Sequence, residues 1–546
     1  MRIIAAAQSS IRLRYILLVL AVLVTAVTPG NAQTLLRTLD TPNPQAGAAF
    51  GFSVAVGDVD GDGKGDIVVG AADEDVGANT DQGRAYVFSG ADGSLLLTLD
   101  TPNPQAEAYF GSCVAVGDVN ADGNGDIGVA AYLEDVGSNA DQGRAYVFSG
   151  TDGSLLLSLD TPNPQGDGHF GCPLTMGDVN GDGKGDIAVG AVHENAGGNF
   201  HQGRAYVFSG ADGSLLFTLD TPNPPGYHFG SSLAVGDVNG DGRRDIAVGE
   251  FGATVGTNDT QGRAYVFSGA DGSLLLTLDT PNPQAHAFFG VSVVVGDVNA
   301  DGNGDIGVAA YLEDVGSNAD QGRAYVFSGA DGSLLFTLDS PNPQADAHFG
   351  DGVAVGDVHG DGKADIAVGA YDEDVGGNTD QGRAYVFSGA DGSLLLTLDR
   401  PNPQAEARFG HGVAVGDVNG DGKADIAVGA YTEDVGGNAN QGRAYVFSSG
   451  VGAPTATPTS TPLPTDTVTP TPTRSATPTP TRTPSPTPTR PLGVGGTVML
   501  PPAAIAADSG VSAEGSGWSG GVYAALGGMA VVIAVGGWYA RRRRLW

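Results

Sequence analysis

The sequence is poor in cysteine and in basic residues, and each shortage excludes a class of protein. Its 546 residues include two cysteines, too few for a disulfide framework. Cys113 and Cys172 occupy nearly matching places in adjacent repeats, so one bridge is possible, but we expect two free buried thiols. Lysine and arginine number 26 against 62 acidic residues, a formal net charge of −36. Phosphate binding requires a basic surface, so we expect no nucleic-acid partner.

Recognisable catalytic motifs are also absent from the sequence. It contains no serine elbow, Cys–His pair, P-loop or His–Glu zinc motif, and it has only eight histidines. Most carboxylates recur in the same motif of every repeat, whereas an active site brings unlike groups together at one place. We therefore expect that the protein is not an enzyme.

What the sequence does contain is a unit of about sixty residues that recurs seven times between Leu35 and Ser448. The second unit shows four strand-like segments, Cys113–Val119, Asp126–Ala131, Gly143–Ser149 and Leu155–Leu159. Four short strands per unit, seven units and no helical periodicity predict an all-β fold, a seven-bladed β-propeller with four-stranded blades.

The two ends of the repeat region predict how the ring closes. Thr34–Asp40 matches the fourth strand of each unit, whereas the last unit stops at its third strand, Arg443–Ser448. We expect the N-terminal strand to complete the seventh blade, because an open array would leave an exposed sheet edge.

Each unit contains a nine-residue loop rich in aspartate, of which Asp58–Asp66 is the first. Carboxylates at positions 1, 3, 5 and 9 would repel one another without a cation, and Gly63 permits the tight turn. Hard oxygen ligands beside a turn glycine are typical of calcium, and the loop begins like an EF-hand. It lacks the glutamate at position 12 and is flanked by strand-like runs. We predict up to seven Ca²⁺ ions, each in a β-hairpin, although a solvated Asp-Gly turn is the alternative for a single copy.

The predicted calcium site uses the same loop positions in every repeat. Position 1 is Asp58, Asp118, Asp178, Asp237, Asp297, Asp357 and Asp417. Position 3 is Asp60, Asn120, Asn180, Asn239, Asn299 and Asn419. Position 5 is Asp62, Asp122, Asp182, Asp241, Asp301, Asp361 and Asp421. Position 7 is Lys64, Asn124, Lys184, Arg243, Asn303, Lys363 and Lys423. Position 9 is Asp66, Asp126, Asp186, Asp245, Asp305, Asp365 and Asp425. The sixth loop has His359 at position 3, which offers no oxygen, so we expect this site to be the weakest or to use water there.

A Phe-Gly pair precedes each loop, at 50–51, 110–111, 170–171, 229–230, 289–290, 349–350 and 409–410, and Asp-Ile-x-Val-(Gly/Ala) follows the loop. This combination resembles the FG-GAP repeat of the integrin α-chain N-terminal β-propeller. The resemblance implies that the cation loop joins the two inner strands of a blade and that the opposite face holds the ligand site. The chain departs from integrins in carrying a loop in every unit and in showing no leg or inserted domains, so the resemblance implies the fold and not integrin signalling.

Two further repeated positions are candidate functional sites. The arginines of the Gln-Gly-Arg motif are either a ligand-binding ring or, as we expect, structural partners of acids such as Glu134 and Asp135; they are Arg84, Arg144, Arg204, Arg263, Arg323, Arg383 and Arg443. The residue before each Phe-Gly pair varies, and by the family's layout it lies opposite the calcium loops. We predict that the ligand contacts Tyr109, His169, His228, Phe288, His348 and Arg408, although ordinary variation at a loop position is the alternative.

The end segments predict export and attachment to a membrane. Residues 1–32 have the pattern of a signal peptide, with a retained anchor as the alternative, and the propeller occupies 33–450. Residues 451–517 form a Pro/Thr-rich stalk and linker, and 518–546 a transmembrane helix with an arginine-rich cytoplasmic tail. The tail of a processed surface-sorting signal is the alternative.

We expect an extracellular adhesion or recognition protein whose ligand is a protein or a glycan. A structural surface-layer or cell-wall component and an accessory module of a secreted hydrolase system are the alternatives.

Overall fold

A computed structural model of the chain describes residues 33–450, which form seven four-stranded antiparallel sheets. In every sheet the strands pair in chain order, except that the last sheet recruits a strand from the N-terminus. The first strand of each repeat packs against the first strand of the next, and that of the seventh packs against that of the first. The innermost strands therefore form a closed ring, which confirms the seven-bladed propeller.

The strands are numbered along the chain, and each blade contributes one strand to each of four concentric positions. The innermost strands are β2 (Phe50–Gly57), β6 (Phe110–Gly117), β10 (Phe170–Gly177), β14 (Phe229–Gly236), β18 (Phe289–Gly296), β22 (Phe349–Gly356) and β26 (Phe409–Gly416). The second strands are β3 (Asp66–Ala71), β7 (Asp126–Ala131), β11 (Asp186–Ala191), β15 (Asp245–Glu250), β19 (Asp305–Ala310), β23 (Asp365–Ala370) and β27 (Asp425–Ala430). The third strands are β4 (Arg84–Phe88), β8 (Arg144–Phe148), β12 (Arg204–Phe208), β16 (Arg263–Phe267), β20 (Arg323–Phe327), β24 (Arg383–Phe387) and β28 (Arg443–Ser448). The outermost strands are β5 (Leu95–Leu99), β9 (Leu155–Leu159), β13 (Leu215–Leu219), β17 (Leu274–Leu278), β21 (Leu334–Leu338), β25 (Leu394–Leu398) and β1 (Thr34–Leu39).

The hydrophobic core lies between neighbouring blades. At the joint between the first and second blades, Val87 and Leu99 of one sheet pack with Phe110 and Val129 of the next, and all are at most 3% exposed. The second strands are buried along their whole length because a sheet covers each of their faces. Alternating apolar residues on both faces of every sheet therefore drive the blades together.

The inner strand of the second blade begins earlier than the sequence pattern predicts, at Phe110 rather than Cys113, and ends at Gly117 rather than Val119. The Phe110 amide donates a 2.8 Å hydrogen bond to the Gln82 carbonyl of the preceding blade. This contact between blades extends the strand back to the Phe-Gly pair, and the pattern within one unit does not reveal it.

The glycines of the Phe-Gly and Gln-Gly-Arg motifs explain why both motifs recur in every repeat. Gly111 has φ +92°, and a Cβ there would collide with the carbonyl oxygen of Arg84 in the preceding blade. Gly83 has φ +80°, and a Cβ there would collide with the carbonyl oxygen of Phe110. Phe-Gly and Gln-Gly-Arg thus meet backbone to backbone at each joint, where a side chain has no room.

The ring closes through the N-terminal strand, as predicted. Strand β1 pairs antiparallel with β28, so that the order of the seventh sheet is β1-β28-β27-β26. Asp40, directly after β1, forms a 2.6 Å ion pair with Arg443 at the start of β28. The two ends of the described chain are therefore held in one sheet, and the ring has no open end.

The two cysteines form a disulfide bond, so the expectation of two free thiols is wrong. Cys113 lies in β6 and Cys172 in β10, and both residues are fully buried. The innermost strands of adjacent blades pack side by side and bring the two Cα atoms to 5.6 Å, within the usual range for a disulfide. The 59 residues that separate the cysteines in sequence conceal this proximity.

The predicted signal peptide, stalk and transmembrane segment lie outside the described residues. Within residues 33–450, no helix is long and apolar enough to cross a membrane.

Candidate metal loops and ligand face

The aspartate-rich loops lie on one face of the ring, at the hairpin between the two innermost strands of each blade. In the first blade, Gly57 pairs with Asp66 across the base of this hairpin. The loop residues 72–83 and the connection 100–109 lie at the opposite ends of the same strands. We call the two sides of the ring the loop face and the connection face.

Backbone donors hold the carboxylates of the first loop in place. The Gly63 amide donates to Asp58 Oδ2 at 2.9 Å, and the Asp62 amide donates to Asp60 Oδ1 at 3.0 Å. One carboxylate oxygen from each of Asp58, Asp60 and Asp62 lies within 4.8 Å of the others. A lysine ammonium cannot bind a cation, so position 7, Lys64, can contribute only its backbone carbonyl.

The donor set of the first loop fits a hard cation. Asp58 Oδ1 is buried and has no hydrogen-bond partner, although a buried polar atom normally has one. Burial raises the pKa of Asp58, against the hydrogen bond from Gly63. Three converging carboxylates, one of them with an unsatisfied buried oxygen, provide the ligands that Ca²⁺ prefers.

The aspartate at position 9 anchors the loop to the rest of its blade. Asp66 is fully buried, and its Oδ2 accepts hydrogen bonds from the amides of Val59 at 2.8 Å and Asp60 at 3.1 Å. Its Oδ1 accepts a 3.0 Å bond from the amide of Gly90, in the turn between β4 and β5. Burial raises its pKa to about 6 despite these donors. Burial therefore disfavours the ionised form of Asp66 unless a cation lies close to it.

The sixth loop differs from the others because His359 takes the place of an oxygen ligand at position 3. His359 is buried, with Nδ1 2.7 Å from Asp365 Oδ2 and Nε2 3.0 Å from Asp361 Oδ2. The imidazole thus contacts the carboxylates at positions 5 and 9 of its loop. That this calcium site is the weakest of the seven stays a prediction.

The predicted ligand residues lie together on the connection face, where they form part of an aromatic belt. Successive ring centroids are 4.0–6.0 Å apart along the belt, which consists of Tyr109, Tyr132, His169, His193, His228, Phe251, Phe288, Tyr311, His348, Tyr371, His411, Tyr431 and Phe52. His169, His228, Phe288 and His348, which precede Phe-Gly pairs, each pack between two rings of the loops that follow second strands. The belt therefore seals the joints between blades.

Not all members of the predicted ligand ring reach the surface. His169, His228 and Phe288 are 6%, 4% and 9% exposed. Tyr109, His348 and Arg408 are half-buried and present part of their surface to solvent. Only these last three are placed to touch a ligand without rearrangement.

The arginines of the Gln-Gly-Arg motif are structural, as expected. Arg144 forms ion pairs with Glu134 at 3.0 Å and Asp160 at 2.7 Å, and the fully buried Glu134 also accepts a 2.8 Å hydrogen bond from Tyr146. The arginine–glutamate pair recurs in all blades except the fourth. No such ring of arginines is therefore free to bind a ligand.

The fourth blade keeps the buried carboxylate but moves it along the chain. Ala253 replaces the loop glutamate, and Glu250, at the end of β15, accepts hydrogen bonds from Tyr265 and Thr221 at 2.9 Å each. Arg263 then pairs only with Asp279, at 2.6 Å. Burial raises the pKa of Glu250 to about 7, against the hydrogen bonds from Thr221 and Tyr265 and the charge of Arg263.

Sequence reasoning missed a cluster of histidines on the connection face. His193 and His201 join the predicted residues His169 and His228, and all four are buried and stack on one another. A signal was available, because four of the eight histidines fall within residues 169–228. His169 and His228 share one position of the repeat, but His193 and His201 lie at two other positions, so a search for repeated motifs does not group the four.

Comparison with known proteins agrees with this geometry. A family model for the FG-GAP repeat matches five stretches, residues 50–88, 174–208, 229–267, 349–387 and 409–447. The second and fifth blades, between these stretches, have the same four strands. Integrin alpha-IIb of Mus musculus is 35% identical over 231 residues, which is 40% of this chain and 22% of the integrin. Integrin alpha-IIb of Homo sapiens is 34% identical over 230 residues, which is 40% of this chain and 21% of the integrin.

A longer and more distant match extends the similarity. Integrin alpha pat-2 of Caenorhabditis elegans is 28% identical over 349 residues, 58% of this chain and 26% of the relative. The chain thus spans about a quarter or less of the length of these relatives. Each of the five matched stretches contains an aspartate-rich loop. The chain thus carries FG-GAP repeats, and its propeller is similar to integrin α chains.

Proposed function

We propose that the protein is a calcium-stabilised adhesion or recognition module that presents its connection face to a protein or glycan ligand outside the cell. The observation that carries this proposal is the asymmetry of the ring. One face repeats the same carboxylate loop in every blade, whereas the other varies at the residue before each Phe-Gly pair. A surface that varies on a rigid, repeated scaffold suits the recognition of one partner.

Calcium would be held by the side chains at positions 1, 3, 5 and 9 and by the backbone carbonyl at position 7 of each loop, except that His359 at position 3 of the sixth loop offers no oxygen. When bound, it would neutralise carboxylates that otherwise repel one another and would cross-link the hairpin of the two innermost strands. In the first loop, the unpaired buried oxygen of Asp58 and the raised pKa of Asp66 support this role. The loops would contribute rigidity, while recognition takes place on the opposite side of the ring.

The exposed part of the ligand ring is the proposed contact surface. Arg408 is held by a 3.1 Å ion pair with Asp372 and donates a 2.8 Å hydrogen bond to Tyr431. His348 Nδ1 lies 2.9 Å from the other oxygen of Asp372. Asp372 thus positions an imidazole and a guanidinium next to each other. A guanidinium held in this way suits an acidic or hydroxyl-rich ligand, and the aromatic rings around it suit a sugar face.

Display outside the cell is proposed from the end segments. Residues 1–32 would direct export, 451–517 would act as a spacer, and 518–546 would anchor the chain in a membrane. The propeller would then stand away from the surface with its loops in a calcium-rich medium.

A binding screen of the purified full chain against protein and glycan arrays, with and without a calcium chelator, tests the proposal. We expect a ligand whose binding weakens at least about tenfold in Tyr109→Ala and Arg408→Ala, because both side chains lie on the proposed contact surface. Leu215→Ala is the matched control, since Leu215 is 44% exposed on an outermost strand, and it should bind normally. Chelation should abolish binding by all of these proteins.

Three other outcomes would contradict the proposal. Normal binding by the two ring variants would place the ligand elsewhere on the propeller. Ordered surface arrays without any ligand would indicate a structural component of the cell surface. Binding to the polymeric substrate of a co-secreted hydrolase, with stimulation of that enzyme, would indicate an accessory module.

A further inference from the structure

The histidine cluster lies where three consecutive segments of the connection face meet. Asp167 and His169 belong to the connection between β9 and β10, and His193 and His201 belong to the loop between β11 and β12. His228 ends the connection between β13 and β14. The cluster therefore draws on the joints between the second and third blades and between the third and fourth blades.

The imidazoles converge closely. One nitrogen from each of His193, His201 and His228 lies within 4.8 Å of the others. His193 stacks on His169 at 4.0 Å, on His201 at 4.4 Å and on His228 at 5.1 Å between ring centroids. The four histidines are between 4% and 7% exposed.

The carboxylate of Asp167 contacts the cluster from its solvent side. Asp167 Oδ1 lies 3.1 Å from His169 Nε2, and Asp167 Oδ2 lies 3.2 Å from His201 Nε2. Burial opposes its ionisation, but contacts with His169, His193 and His201 hold the pKa of Asp167 below its usual value. Its side chain is 58% exposed, which leaves a path from solvent to the imidazoles.

The hydrogen bonding of the cluster is incomplete. Both ring nitrogens of His228 and Nδ1 of His193 are buried without a hydrogen-bond partner. His193 Nδ1 is 3.7 Å from Asp167 Oδ1, which is too far for a hydrogen bond. Buried polar atoms that lack a partner call for a specific explanation, such as an ion.

The propeller plan does not require histidines at these places. The positions equivalent to His193 hold aspartate in the first and sixth blades (Asp73 and Asp372) and leucine in the second and fifth (Leu133 and Leu312). The position of His201 is Asp81, Asp141, Asp320 and Asp380 in those same blades. A cluster that serves only to fill the joint would not need imidazoles at the positions of His193 and His201, where these other blades carry aspartate or leucine.

We propose that His193, His201 and His228 bind one divalent transition-metal ion of the zinc class, with Asp167 as the carboxylate that orients the His201 imidazole and offsets the charge of the ion. Imidazole nitrogen is a preferred ligand of zinc, copper and nickel, whereas calcium requires oxygen. Ligand nitrogens at 2.0–2.1 Å from one tetrahedral zinc are about 3.3 Å apart, so nitrogens that lie within 4.8 Å of one another would move together by at most about 1.5 Å on binding. The neutral imidazole is the form that binds a metal.

The site would clamp the connection face of the third blade. Two of its ligands come from one loop, and the third comes from the connection to the next blade. A bound ion would hold that loop against the blade joint, on the side of the ring away from the aspartate loops. It would thus be chemically and spatially distinct from the proposed calcium sites.

A zinc titration of the purified full chain, free of any histidine tag and saturated with calcium, tests the proposal. Isothermal titration calorimetry with Zn²⁺ alone should show one tight site per chain. His228→Gln should weaken zinc binding at least about 100-fold, because a ligand is lost, and Asp167→Asn should weaken it about 10–100-fold, as expected for a residue that orients a ligand. Zn²⁺ should raise the melting temperature of the unmodified protein and not that of His228→Gln.

The matched control is His286→Gln. His286 is an exposed histidine on the same face whose Nδ1 lies 2.7 Å from Thr260 Oγ1, and its replacement should leave zinc affinity unchanged. The zinc X-ray absorption edge supplies a second readout, in which scattering by several imidazoles is expected. If His228→Gln does not fold, the more exposed Asp167→Asn carries the test. The proposal is overturned if the unmodified chain binds no zinc, if His228→Gln and Asp167→Asn bind it as the unmodified chain does, or if the zinc has only oxygen neighbours.

Discussion

On the loop face, the seven hairpins have aspartate at positions 1, 5 and 9 in every blade, whereas on the connection face the residue before Phe-Gly is alanine, tyrosine, histidine, phenylalanine or arginine. The same strands connect the two faces, so their difference does not arise from the fold. The carboxylates of the first loop accept hydrogen bonds from amides of their own blade, those of Asp62 and Gly63 within the loop and that of Gly90 in the turn after β4. The residues of the connection face instead pack against the blades on either side. The carboxylate loop is therefore the same in every repeat, because it depends on its own blade. The residues of the connection face differ from joint to joint, because they depend on the neighbouring blades.

Removal of calcium should produce the largest effect and should act through the loop face. A ligand that binds only the native state stabilises it by about 2.7 kcal/mol per site at a hundred times its Kd, so loss of several ions should lower the melting temperature by more than about ten degrees. Thermal unfolding of the full chain with excess chelator measures this. Chelator already saturated with calcium is the control, and identical melts in both would contradict calcium as part of the fold.

A pair of arginine variants tests whether the connection face depends on contacts that differ between blades. Arg144→Gln should lower the free energy of unfolding by about 2–3 kcal/mol, because it leaves the buried Glu134 without its cation. Arg263→Gln should cost less than about 1 kcal/mol, because its partner, Asp279, is 47% exposed. Denaturant unfolding of the two proteins measures the difference. The local sequences and the exposures of the two arginines match, so equal losses would show that the buried pair contributes nothing.

The stability of the metal-free protein should depend on pH through the buried aspartates of the loop face. Burial raises the pKa of Asp66, Asp126 and Asp305 to about 6 and that of Asp425 to about 7, whereas aspartate in an unfolded chain titrates near 4. The folded state then binds protons more readily than the unfolded state, so these groups should make the chelated protein less stable as pH rises from about 4 to about 7, by about 2 kcal/mol per carboxylate.

Calcium should reverse this trend, because it competes with protons for the same carboxylates. The calcium-loaded protein should therefore lose stability as pH falls through the same interval. Melting temperatures at pH 5 and pH 7.5, with calcium and with chelator, measure both slopes. Slopes of the same sign in the two conditions would show that these carboxylates do not respond to calcium.

Two reciprocal substitutions at position 3, one in the sixth loop and one in the second, should produce the smallest effect. His359→Asn frees Asp361 and Asp365 from the imidazole, so the sixth site should bind calcium about tenfold more tightly. Asn120→His should weaken the second site by a similar factor. Calorimetric titration with calcium should show one site shifted in each variant and the other sites unchanged. If neither variant changes the titration, position 3 is not a ligand.

The fold and the loops were predictable because their signals are local and recur. The bounds of β7 and β9 match the prediction because alternating residues and turns specify them within one unit. The start of β6 at Phe110 and the disulfide between Cys113 and Cys172 were not predicted, because both depend on contact with a neighbouring blade. The burial of His169, His228 and Phe288 escaped prediction for the same reason.

By itself, the sequence determined the number of blades, the strands within each blade, the closure of the ring by Thr34–Leu39 and the carboxylate loops, since each depends on a pattern inside one repeat or on a comparison of repeats. Only the tertiary structure decided which side chains meet at a joint. It converted a row of variable residues into an aromatic belt and gathered histidines from three separate segments around Asp167. The physical reason is that residues about thirty to sixty positions apart become neighbours only when the blades pack face to face around the central axis. No local sequence pattern encodes that contact.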